Sequence, residues 1–258
     1  MKKIILVHGM QRSGNHAIVQ WISAHERFIF RNNVIPIAPI LDGKSEMPQP
    51  ERFETWFKAE LRPPLRFLPF SLLSRVLLPS AYFMASLEDH TLDTRPFYAA
   101  PLEVSNALII RDAHNMFASR LRRAWQIEHP TFPRAEGALM DRVIANWKSH
   151  AREFLGLTNI LNGATMIHFD RWFANKEDRQ RISESLGLPF TDAGFSVVSN
   201  VGGGSSFDGT KFDGEGSKMQ VLDRKDQLDE REREVFEAIF ADQELCDLAE
   251  QVRENKTS

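Results

Sequence analysis

One cysteine, Cys246, is all that the 258-residue chain contains. An intramolecular disulfide and a multi-cysteine metal centre are therefore excluded, and this usage fits a reducing compartment, so a cytoplasmic location is expected. An excess of charge of one sign is also missing. The formal net charge is −3, too small a field for a protein that coats nucleic acid, so any anion site must be a local cluster. Uninterrupted apolar runs are short. The nearest approach to one, LRPPLRFLPFSLLSRVLLPSAYFMASL at 61–87, is broken by Arg62, Arg66, Arg75 and four prolines and cannot form a membrane-spanning helix. It reads as a packed insertion, spanning about 45–85, that covers a binding site; peripheral contact with a membrane surface through 61–87 is the other reading. The apolar run at Ile4–Val7 is too short for a secretory leader, whose core takes roughly 7–15 residues, and it leads into a glycine loop without a small-residue cleavage pattern. Internal repeats and low-complexity linkers are absent too. One domain over 1–258 is the expectation.

What is present is an alternation. Residues 4–8 form a short buried-strand pattern ended by Gly9, and Ile18, Val19, Trp21 and Ile22 then recur at helical spacing over 15–25. NALIIRD (106–112) is a second buried strand, followed by a helix in NMFASRLRRAW. Residues 135–157 give a long amphipathic helix, ATMIHFDRW (164–172) a third strand, and NKEDRQRISESLGL a helix closed by Gly187 and Pro189. One charged helix is expected over the last part, with Leu228, Val235, Ile239 and Phe240 facing inward. Strands alternating with helices imply an α/β fold of three layers, a mostly parallel sheet flanked by helices. In such sheets ligands sit beyond the C-terminal strand ends. The glycine-rich stretch at 199–218 reads as a mobile loop, with Lys211 and Lys218 placed to cover an anion.

The first strand runs into Gly9-Met10-Gln11-Arg12-Ser13-Gly14-Asn15-His16. Gly9 and Gly14 have the spacing of a nucleotide-triphosphate loop, G-x-x-x-x-G-K-[ST], but Asn15 and His16 stand where lysine and a hydroxyl residue belong. The backbone cradle and the helix N-terminus persist, so the loop still suits an anion. The magnesium ligand and the reach to a γ-phosphate are lost, and the cation is Arg12, inside the loop.

QRSGNH resembles the 5′-phosphosulfate loop of the sulfotransferases that use 3′-phosphoadenosine 5′-phosphosulfate (PAPS), whose pattern runs Pro-[Lys/Arg]-Ser-Gly-Thr-Thr. Arg12, Ser13 and Gly14 match; Gln11, Asn15 and His16 depart. IIRDAHNMFASRL (109–121) resembles the 3′-phosphate element of the same family, an arginine at a strand end with a serine eight residues later, here Arg111 and Ser119. A strand-end guanidinium and a helix hydroxyl can converge on one phosphate across the intervening loop; the plainer role for Arg111 is an ion pair with Asp112. Weaker likenesses place Ser205 and Phe207 at adenine, in the manner of the Thr-Ser-Phe element of the family, and Lys218 at its Arg-Lys-Gly element. The aromatic that stacks on adenine in the family is Ala17 in this chain. The resemblance implies a P-loop NTPase-like sulfotransferase fold, PAPS as donor, PAP (adenosine 3′,5′-bisphosphate) as product and no metal.

Moving a sulfuryl group needs in-line positioning, positive charge on the departing phosphate oxygen, and a base for an acceptor hydroxyl. Arg12 and the loop amides suit the second task, and His16 is placed to donate a proton to the leaving group or to cap its helix. FMASLEDHTL (83–92) ends in Glu88, Asp89 and His90, about twenty residues before Arg111, where the family places its base. His90 is the first choice on intrinsic acidity and Glu88 the second. The acceptor, a small molecule, lipid or saccharide bearing a hydroxyl or amine, is not legible. Two other readings stay open: a P-loop nucleotide or nucleoside kinase, and a non-catalytic nucleotide-binding protein.

Overall fold

The computed structural model describes residues 3–59, 61–76, 82–99, 103–198 and 204–255. Residues 77–81 of the apolar insertion and 199–203 of the glycine-rich stretch lie outside the described residues.

Five strands, β1 (Ile4–Gly9), β2 (Phe28–Arg31), β4 (Tyr82–Glu88), β6 (Val104–Ile110) and β7 (Thr165–His168), form one sheet in the order β2-β4-β1-β6-β7. Each of its pairings is parallel. β1 lies at the centre and is buried along its whole length, which is why its sequence is a continuous apolar run rather than an alternating one. β4 stops level with it and β6 one residue beyond: Gly9 pairs with Glu88 on one side and Ile109 on the other. The loops after β1, β4 and β6 therefore open on the same edge of the sheet.

Alternate residues feed the two faces. Ile5, Val7, Met84, Ala107, Ile109 and Ile167 pack under α1 (Asn15–Ser23), α7 (Phe169–Ala174) and α8 (Lys176–Ser185), with Trp21 and Trp172 at the centre. On the other face, Leu108 and Ile110 meet α5 (Ala113–Gln126), α6 (Ala138–Phe154) and α10 (Gln243–Glu254), while Ile4, Leu6, Phe83 and Ala85 meet Phe53 and Phe57 of α3 (Phe53–Ala59) and Phe70 of α4 (Phe70–Val76). The three-layer α/β reading holds, and three details differ. The third strand ends at His168, because Asp170 and Trp172 belong to α7. The terminal helix is two helices, α9 (Glu230–Ile239) and α10, since Asp242 accepts the Leu245 amide and starts a new N-terminus. A short parallel pair, β3 (Glu51–Arg52) with β5 (Phe97–Tyr98), ties the insertion to the chain after β4.

Below the β1 strand end the core contains two histidines held neutral. His8 bonds Asn106 Oδ1 at 3.1 Å through Nε2, and burial pushes its pKa down to about 4 despite that bond. Burial also pushes fully enclosed His150 down to about 4. The unfolded chain binds these protons with the ordinary value near 6.5, so the stability tied to the two groups is complete above that pH and is lost as pH falls toward 4. The melting temperature should therefore drop across that interval, and His8→Gln or His150→Gln should flatten the drop. A wild-type melting temperature that is constant between these limits would contradict the burial of neutral imidazoles.

Candidate functional site

Gly14 takes φ 86°, the left-handed region, and a Cβ there would come within 2.1 Å of the Phe169 ring. Only glycine meets both conditions, which fixes the loop between β1 and α1 against α7. Arg12 takes φ 71° without being glycine, a strained conformation that points its side chain inward from the loop.

A cavity of about 530 Å³ opens above the ends of β1, β4 and β6, a volume suited to a nucleotide-sized ligand. Gln11, Arg12 and Gly14 line it from the loop, Asn15 and His16 from the start of α1, Glu88 from the end of β4, Arg111 from just past β6 and Ser119 from α5. Ser13 is buried beneath the loop, its amide bonded to Met10 O at 3.1 Å, and does not line the cavity.

The spacing expected for Arg111 and Ser119 is realised as contact: Arg111 Nη1 donates to Ser119 Oγ at 3.1 Å and to Arg12 O at 3.1 Å. Nη2 donates to Val221 O at 2.5 Å, and the guanidinium lies 4.8 Å over Phe169. Its carboxylate neighbour is Asp170, at 3.9 Å, rather than Asp112. Asp170 also accepts the Asp112 amide at 2.7 Å and the Asn115 side-chain amide at 3.2 Å, so it sets the whole β6–α5 corner. Trp147 of α6 closes the corner by donating to Arg111 O.

Two arginines that sequence reasoning passed over join this group: Arg123, one turn beyond Ser119 on α5, and Arg224. Arg224 is almost fully buried, its amide bonded to Asn115 Oδ1 at 2.9 Å and its guanidinium to Ser205 Oγ at 3.2 Å and Asp208 at 2.6 Å. Lys218, the residue that resembles the Arg-Lys-Gly element, is exposed, bonds Glu215 at 2.6 Å and does not line the cavity. The chain after it passes under Arg111 at Val221 before turning in, and Arg224 is the cation that arrives. Burial, and then the positive charge of Arg111, pushes the pKa of Arg12 down to about 10. Burial pushes that of Arg111 to about 10 as well, against the opposing pull of Asp170, with Arg224 adding to the depression. Arg12 and Arg111 remain charged at neutral pH and repel one another, an arrangement that an anion would relieve.

Ser205 lines the cavity, and Phe207 does not; its ring sits between Arg122 and Arg224, 4.7 Å and 4.6 Å from their guanidinium carbons. Ala17 lines the cavity without an aromatic ring of its own. Phe169, Trp172 and Phe173 of α7 and Phe195 form an aromatic wall on the same cavity as Ala17, and the buried indole N–H of Trp172 has no hydrogen-bond partner among the described residues. No sequence signal marked these residues, because α7 read as a strand.

At the other end, Glu88 accepts from Asn15 Nδ2 at 3.0 Å and lies 3.7 Å from His16 Nε2, which bonds Asn32 Oδ1 at 3.0 Å. The adjacent Asp89 adopts φ 61°, and this turn sends His90 into the core, where Nε2 donates to Ile35 O at 2.5 Å and burial lowers the ring's pKa. His90 does not line the cavity; Glu88 does. None of the described residues of 45–85 lines it either, since α3 and α4 cover the sheet face instead. Among the described residues no cluster of His, Cys, Asp or Glu could hold a metal ion, and no helix is long and apolar enough to cross a membrane.

No family model matches the chain, and no curated protein sequence does. Among solved structures, the chain is similar to the mouse sulfotransferase SULT7A1, whose structure is a complex with PAP, at a TM-score of 0.50 and 12% identity, over 98% of this chain and 88% of that one. At that identity the likeness shows the fold: the chain has the α/β architecture of a sulfotransferase.

The loop is held from below by a buried ion pair. Arg120 makes two bonds to Asp89, at 3.0 Å and 2.7 Å, while Asp89 also accepts the Gln11 amide at 3.1 Å. Removing one charge strands the other, so Asp89→Asn should cost about 3–5 kcal/mol in urea unfolding. A loss below about 1 kcal/mol, the size of an exposed pair, would show that this contact does not hold the loop.

Proposed function

We propose that the chain is a sulfotransferase that takes the sulfuryl group from PAPS and passes it to an acceptor hydroxyl or amine. The observation that supports this best is the convergence of Arg12, Arg111, Ser119 and Arg224 on one cavity in a sulfotransferase fold. On this reading Arg111, Ser119 and Arg224 bind the 3′-phosphate, where planar guanidinium forks give paired bonds to phosphate oxygens. The wall of Phe169, Trp172, Phe173 and Phe195 receives the adenine, with the unpartnered Trp172 N–H available to a ring nitrogen. Arg12 and the loop amides at the α1 N-terminus hold the 5′-phosphosulfate.

Transfer needs no metal, because Arg12 supplies the charge that a cation would. The acceptor oxygen bonds to sulfur as the bond from sulfur to the bridging phosphate oxygen breaks. That oxygen keeps the electron pair beside Arg12, and Glu88 takes the acceptor proton. His16, between the loop and Glu88, orients the carboxylate or shares the proton. A kinase reading lacks a lysine and a magnesium ligand at Asn15 and His16.

Arg224→Gln should weaken PAP binding about tenfold to a hundredfold in calorimetry, the loss of charge-assisted bonds, while Lys218→Ala leaves it unchanged. The opposite order would return the role to Lys218. Glu88→Gln should remove most sulfate transfer from labelled PAPS and keep PAP affinity near that of wild type. Full transfer by that variant would exclude Glu88 as base, and the absence of transfer by wild type to any hydroxyl or amine acceptor would favour the non-catalytic reading.

A further inference from the structure

Residues 61–87 contain three arginines and neither aspartate nor glutamate, in a chain of net charge −3. The inward side chains of this stretch are committed. Leu61 and Phe70 pack on the cluster formed by Phe53, Phe57 and Phe83, and Leu73 is buried. Among the described outward side chains three are large and apolar: Phe67 is 71% exposed, Leu72 45% and Leu65 37%. A cover needed only for the sheet would present polar residues to water on that side. Arg62 and Arg66 are exposed among them, and the Arg66 guanidinium lies 4.8 Å from the centre of the Phe67 ring. On the neighbouring helix, Glu54 is already paired with Lys58 at 3.3 Å.

Apolar tips interleaved with arginines, free of carboxylates, are complementary to an anionic lipid surface, which offers phosphates at the depth of the cations and hydrocarbon just beneath. A second copy of the same face would oppose arginine to arginine. We propose that this face docks peripherally on anionic membrane, with Leu65, Phe67 and Leu72 entering the headgroup boundary and Arg62 and Arg66 meeting lipid phosphates. None of these five residues lines the cavity, so docking leaves the site free, and the proposal does not depend on the chemistry assigned there.

Co-sedimentation of the full chain with vesicles tests it. Binding is expected to vesicles of phosphatidylcholine with phosphatidylserine, not to phosphatidylcholine alone, and should weaken at high salt. At about 1 kcal/mol per arginine, the double variant Arg62→Gln/Arg66→Gln should bind roughly 30-fold more weakly. Phe67→Ser should weaken binding about tenfold, through the apolar area it no longer buries. Both variants should melt as wild type does and keep its far-ultraviolet circular dichroism, which shows that they fold. Absence of binding to the mixed vesicles overturns the proposal, as does binding that these substitutions leave intact. Self-association in solution that Phe67→Ser abolishes, without vesicle binding, would assign the face to a second copy and overturn it too.

Discussion

The buried pair of Asp89 and Arg120 is the constraint on which the site depends. Both side chains are nearly sealed from water, at 4% and 3% exposure, where an unpaired charge would be very costly. Their bonds reach three separate segments. Asp89 receives the Gln11 amide, Arg120 donates to Gln11 O and to Thr131 O, and the Asp89 carbonyl accepts from Asn146 of α6. The phosphate-type loop, the end of β4 and the segment after α5 are thereby fixed together. Thr131 donates to the Gln11 side-chain oxygen at 2.9 Å, which adds a second tie between the loop and the segment after α5. The left-handed turn at Asp89 follows from this pairing, and it is the turn that leaves Glu88 at the cavity and carries His90 away.

Above that anchor the structure gathers like charges. Arg12, Arg111, Arg123 and Arg224 come from the β1 loop, the end of β6, α5 and the segment before α9, and the carboxylates near them do more than neutralise. Asp170 is spread over Arg111, an amide and an asparagine; Asp208 is engaged by Arg224. Packed side chains and main-chain carbonyls hold the guanidiniums in place: Arg111 on Arg12 O and Val221 O, Arg12 on Gly204 O. Groups pre-placed in this way favour a multiply charged ligand, since little ordering remains to be done on binding.

Much of this was legible in the sequence, for physical reasons. Continuous apolar runs mark β1 and β6 because both faces of those strands are covered. Gly9 and Gly14 mark the loop, since a Cβ on the first would collide with Asn15 and one on the second with Phe169. Arg111 and Ser119 meet because a strand end and two turns of the following helix form a local unit. What escaped depends on long-range placement. Arg224, rather than Lys218, reaches the cavity because residues 219–224 are routed by Arg111 and Asn115, and no local pattern encodes that path. The aromatic wall was missed because Phe169 and Trp172 continue an apolar run that reads equally well as strand or helix. His90 is the first choice on intrinsic acidity, which carries no signal of the positive φ at Asp89 that turns its ring into the core and leaves Glu88 at the cavity.

Calorimetric titration of the wild-type chain with PAP, set against ATP with magnesium, tests the central claim most directly. Tight, magnesium-independent binding of PAP that Arg111→Ala removes is expected, with weak binding of ATP. Preference for ATP with magnesium, or PAP binding undiminished in Arg111→Ala, would contradict it.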